Sequence, residues 1–129
     1  GSIKRVAVTS SEAPNVVETL ATGLDSPASP VAVDGRVYFR AGYGLYSIPL
    51  DGGAVEVVLG ERSGLSIGAL ALASDGNHLF FSRSSGIARA SRDGREVVDL
   101  YPSSTAYALA VDDGRIFWAD SASVYTATK

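Results

Sequence analysis

The stretch Leu109 to Asp120 reads LAVDDGRIFWAD, and the same pattern passes twice earlier in slightly different spelling. Val31 to Phe39 reads VAVDGRVYF, and Leu70 to Phe81 reads LALASDGNHLFF. Each copy is a short apolar segment with a small residue at its centre, then an Asp-Gly turn, then a second segment that ends in two aromatics. That pattern predicts a β-hairpin. Val31 and Leu70 are 39 residues apart, and so are Leu70 and Leu109. A period of this length marks solenoids, propellers and other arrays.

Working outward, each hairpin is followed by a second one. Leu45 to Leu50, the turn Asp51-Gly52-Gly53 and Val55 to Leu59 form one; Ile87 to Arg92, the turn Asp93-Gly94 and Glu96 to Leu100 form the next. With the four strands of a unit labelled A to D, one whole unit spans about Pro30 to Leu59 and another about Ala69 to Leu100. A third begins at Ala108 and reaches strand C at Val124 to Thr128. The opening segment, Ile3 to Val8 and Asn15 to Leu20 around a loop at Ser10 to Pro14, matches a C-D half. The expected divisions are therefore a half blade at 1–22, blades at 23–60 and 61–101, and an A-B-C partial blade at 102–129, all within one propeller segment.

Adjacent residues on a strand point to opposite faces. The pairs Tyr38 and Phe39, Phe80 and Phe81, and Phe117 and Trp118 thus require every sheet to be packed on both sides. Ala32, Ala71 and Ala110, at the centres of the A strands, fit crowding near an axis. Radially stacked four-stranded blades meet both demands, whereas a two-sheet sandwich covers one face only. The predicted fold is all-β, with about three blades of four antiparallel strands per chain.

Composition narrows the function. In 129 residues, 46% hydrophobic, there is enough apolar material for one domain with a real core. A net charge of −3 argues against nucleic acid as a partner. The chain has no cysteine, hence no disulfide framework or thiolate metal site. No apolar run approaches the ~20 residues of a membrane-spanning helix. The opening Gly1-Ser2 and the absence of methionine suggest a processed piece of a longer protein, or a designed sequence.

At Ile116-Phe117-Trp118-Ala119-Asp120 the sequence resembles the repeat of six-bladed YWTD propellers, the class B repeats of lipoprotein-receptor ectodomains, and their bacterial relatives. Asp51-Gly52-Gly53 before strand D and Pro30-Val31-Ala32-Val33-Asp34-Gly35 leading into strand A strengthen the likeness. The segments Tyr38-Phe39-Arg40-Ala41 and Phe80-Phe81-Ser82-Arg83 lack the family's Trp and Asp. The resemblance implies a structural role for Asp120 and carries over no ligand site.

Natural propellers close with roughly four to eight blades. Three blades alone leave an apolar face at each end, so the expected partner is a second copy, giving a homodimer that closes a six-bladed ring by strand exchange. Strand C of the joint blade then has two candidates, Ile3 to Val8 and Val124 to Thr128. The expectation is a fifth strand, with Ile3 to Val8 carried to the free edge of strand D.

Chemistry-bearing residues are sparse. His78 is the only histidine, and its place beside a turn reads as an ordinary half-exposed side chain. The turn aspartates Asp34, Asp51, Asp75, Asp93, Asp112 and Asp113 read as hairpin chemistry rather than as calcium ligands. Ser82, Ser84 and Ser85 have no assigned base, and no phosphate loop or nucleophile elbow is present. No catalytic residue, metal or cofactor is expected. The B-C and D-A loops emerge on one face, where Arg40, Tyr43, Arg83, Asp120, Arg62 and Tyr101 are the candidates for a small polar ligand at the channel mouth. The expected function is a non-catalytic, self-assembling scaffold or binding module. The alternatives are a metal-dependent propeller hydrolase and a carbohydrate-binding propeller using Tyr43, Tyr101 and Tyr107.

Overall fold

The computed structural model describes residues 1–7, 16–61, 63–65, 71–102 and 105–129. Every regular element among them is a β-strand. The hairpin β1 (Ile3–Val6) and β2 (Val17–Ala21) is followed by a four-stranded sheet of β3 (Ala28–Val33), β4 (Arg36–Ala41), β5 (Gly44–Pro49) and β6 (Glu56–Leu59). A second such sheet holds β7 (Leu72–Ser74), β8 (His78–Arg83), β9 (Gly86–Ser91) and β10 (Val97–Pro102). The last sheet has three strands, β11 (Ala108–Val111), β12 (Arg115–Ala119) and β13 (Val124–Thr128). All pairings are antiparallel and link neighbours in sequence. The loop expected at Ser10 to Pro14 lies outside the described residues.

The Asp-Gly turns close their hairpins in two ways. Asp34 and Gly35 both have positive φ, 46° and 73°, the conformation of a two-residue turn whose twist matches that of the strands. The turns at Asp75 and Asp112 are longer, and there the carboxylate does the closing. Asp75 Oδ1 accepts from the N–H groups of Asn77 (2.9 Å) and His78 (2.8 Å). Asp112 Oδ1 accepts from those of Gly114 (2.9 Å) and Arg115 (2.7 Å).

Three apolar layers hold the sheets face to face. Ile3 packs with Val37, Phe39 and Ile48, joining the hairpin to the first full sheet. Tyr38 and Leu45 meet Leu72, Leu79 and Phe81 between the two full sheets. Phe80 and Ile87 meet Ile116 and Trp118 between the second full sheet and the last one. Each adjacent aromatic pair is split between two faces: Tyr38 faces forward and Phe39 back, Phe80 forward and Phe81 back. This is the two-sided packing that the sequence pattern requires.

Cover is incomplete at both ends of the stack. Ala71 is buried, but Ala32 and Ala110 are exposed. Phe117 pairs across the sheet with Ala110, and this pair lies on the side of the last sheet opposite Ile116 and Trp118. No sheet of the chain packs there among the described residues.

Candidate functional site

Of the six residues expected to share a ligand rim, five lie among the described residues, and their surroundings differ. Arg40, next to last in β4, is fully buried between the two full sheets, so it is not a rim residue. Its Nη1 donates to the backbone oxygen of Ser82 (3.1 Å) and to Ser82 Oγ (3.3 Å). Desolvation lowers its pKa to about 10. Arg83 sits against Asp99, with Nε 3.1 Å from Oδ1, and also donates to Ser85 Oγ at 3.1 Å. Tyr101 stacks on Trp118 with ring centroids 5.8 Å apart and donates its hydroxyl to the Thr128 carbonyl at 2.7 Å. It is a packing residue between sheets.

Asp120 closes its own loop. Its Oδ1 accepts from the N–H groups of Ala122 (2.8 Å) and Ser123 (2.9 Å), and its Oδ2 accepts from the Tyr125 hydroxyl (3.1 Å). Tyr43 is exposed and lines a shallow recess of about 230 Å³ with Leu24, Asp25 and Glu61. Arg62 lies outside the described residues. His78 stands edge-on to Phe80 with Nδ1 3.9 Å from Asp75. Among the described residues, no three His, Asp or Glu side chains gather to hold a metal.

A polar cleft of about 530 Å³ opens on the other face, at the Asp-Gly turn ends of the two full sheets. Arg92 pairs with Asp34 across it. Arg36 donates to Ser47 Oγ (2.9 Å) and pairs with Glu56 (2.7 Å). Asp93 Oδ1 accepts from Ser91 Oγ (2.6 Å) and from the Arg95 N–H (3.0 Å), which lowers its pKa. The opposite charges along this cleft serve one another, so it joins the sheets more than it invites a ligand. Sequence reading missed it, because nothing local in the chain relates Asp34 to Arg92.

A third feature is apolar. The outward face of the last sheet forms a hollow of about 180 Å³ lined by Ala108, Ala110, Phe117, Ala119 and Val124. Val124, paired across the sheet with Ala119, is 78% exposed there. Beside the hollow, β13 is an edge strand, paired only with β12 among the described residues. The adjacent aromatics Phe117 and Trp118 are the sequence signal for this face.

No family model matches the chain, and no curated protein matches it. Among solved structures, the chain is similar to one in the crystal structure of a nidogen/laminin complex, with a TM-score of 0.81 at 18% identity. The match covers 99% of this chain and 54% of that one, so the chain spans about half the length of the structure it matches. The fold is thus about half of a six-bladed propeller of the YWTD type, built of four-stranded antiparallel sheets.

Proposed function

We propose that this chain is a non-catalytic binding module of the propeller type that assembles with a second copy of itself to close a six-bladed ring. The uncovered apolar face of the last sheet carries this reading. Phe117, Ala110 and Val124 there form the same kind of surface that Phe80 and Tyr38 form one and two sheets earlier, and those are covered by the next sheet. A monomer keeps this surface wet, at roughly 25 cal/mol for each Å² of apolar area. The closing sheet would join β11, β12 and β13 of one copy to the β1–β2 hairpin of the other.

Propellers of this type serve as binding modules, and the matched chain comes from a complex of two proteins. A small polar ligand at the channel mouth would meet Tyr43 and the Arg83–Asp99 pair, with Arg40 out of its reach. The test is solution mass by light scattering over a dilution series. A mass near twice the 13.3 kDa of the chain is the expected result. A monomer at all concentrations overturns the assembly.

A further inference from the structure

The innermost strands of consecutive sheets lie against one another: β7 contacts β3 on one side and β11 on the other. Each of these strands has a forward and a backward face. On β3, Val31 and Val33 point forward into the layer shared with the second full sheet, while Ala32 pairs across the sheet with Val37 and points backward. On β11, Leu109 and Val111 point backward into the layer shared with the second full sheet, and Ala110 points forward. Two faces of the series therefore have no inner strand against them among the described residues. They are the backward face of β3 at Ala32 and the forward face of β11 at Ala108 and Ala110, and all three alanines are exposed.

The two faces complement each other in type. Within the chain, a forward face always meets a backward face, as Tyr38 meets Phe81 and Phe80 meets Trp118. Like faces never meet. The hairpin covers only part of the backward face of the first full sheet: Phe39 is fully buried under Ile3, while Ala32 beside it stays open. What is missing next to Ala32 is an inner strand and its neighbour presenting a forward face of small residues. The chain itself ends its series in such a pair, β11 and β12. The matched propeller supplies the count, since this chain accounts for about half of it.

We infer that the occupant of the Ala108–Ala110–Phe117 face is a second copy of this chain, seated through the Ala32 face of its β3. The contact is head-to-tail and is made twice in a two-fold dimer: Ala110 of each copy lies against Ala32 of the other, and Ala32 never meets its own equivalent. This inference rests on the ring reading above and adds the faces and their polarity. Continuity with the interfaces β3–β7 and β7–β11 carries it, because the docking repeats their geometry a third time.

The chain has no cysteine, so introduced thiols report contacts without background. Ala32→Cys and Ala110→Cys variants are purified separately and mixed at concentrations where light scattering reads a dimer, then treated with a short bismaleimide. Cross-linked dimer is expected from the mixture and from the double variant A32C/A110C, with yield from either single variant at least tenfold lower. Cross-linking of A32C to itself, or a dimeric mass with no 32-to-110 product, overturns the polarity while leaving the ring reading standing. A monomeric mass overturns both. An Arg95→Cys and Ala110→Cys mixture, in which Arg95 is exposed in the turn between β9 and β10 of the second full sheet and not in the closing sheet, serves as the control for non-specific capture.

Discussion

Arg40 reaches from the end of β4 into the next sheet, where its Nη1 meets both the carbonyl oxygen and the hydroxyl of Ser82, at 3.1 and 3.3 Å. A fully buried guanidinium at a junction between sheets binds the two together but bears a desolvation cost. The two contributions separate by substitution. Arg40→Met fills most of the volume and removes the buried charge, losing Arg40's donation to Ser82, so it is expected to lower stability by about 1 kcal/mol. Arg40→Ala leaves a cavity as well and is expected to cost about 3 kcal/mol or more. Urea midpoints of the two variants, compared at equal slope, decide this. Equal losses would mean that packing around Arg40 is unimportant.

Asp75 makes the fold acid-sensitive. Burial works against its charge, but the His78 N–H, the Lys129 ammonium at 3.0 Å and the Asn77 N–H outweigh it and hold its pKa at about 2. A carboxylate with a depressed folded pKa adds stability that is fully present above its unfolded value of 3.8. That stability fades as the pH falls from about 4 to about 2, and it amounts to roughly 2 kcal/mol. Asp75→Asn is therefore expected to be less stable than the parent at pH 6 by about that amount, and to match it near pH 2. Denaturation at the two pH values tests the convergence; a constant gap would assign the loss to hydrogen bonding rather than to charge.

Gly94 is fixed by two independent constraints. Its φ is 76°, and a Cβ there would stand 1.9 Å from the carbonyl oxygen of Val58 on β6 of the neighbouring sheet. The turn before β10 thus packs backbone against backbone between sheets. Gly94→Ala is expected to destabilise by roughly 2 kcal/mol or more. Gly114→Ala, where no atom lies within 4 Å of the added carbon, is expected to cost less than half as much. Thermal unfolding of the pair checks the contrast, and equal effects would remove the close approach as the cause.

These positions show where sequence was informative. The hairpins were legible because Asp-Gly turns and paired aromatics recur at constant spacing, and splitting of Tyr38 from Phe39 follows from the alternation of a strand. The site was not. Arg40 reads as a rim arginine because it follows the aromatics of a B strand, yet the strand carries it between sheets, where Ser82 supplies oxygen acceptors. Tyr101 reads as a stacking platform for a ligand, and its ring is taken by Trp118. Asp34 and Arg92 meet only because neighbouring sheets bring their turns together, a relation that no local pattern encodes. Ala32 and Ala110 were expected to be covered on both sides; they are exposed because no inner strand lies against them among the described residues.

The aromatic column on the last sheet offers a direct optical check. Trp118, the only tryptophan, lies between Tyr101 at 5.8 Å and Tyr125 at 5.5 Å, each with an interplanar angle of 19°. Trp118 is 8% exposed while Tyr125 is 40% exposed, so Tyr125 shields it on the side of the β13 edge. Tyr125→Ala is expected to shift Trp118 emission to longer wavelength, raise its quenching by iodide, and cost about 1 kcal/mol. Tyr101→Ala is expected to cost more, since it also removes the hydroxyl donation to Thr128 that ties β10 to β13. The last sheet should loosen before the other two in Tyr101→Ala, and hydrogen exchange at β11 to β13 that stays as slow as in the parent would count against Tyr101 as the tie.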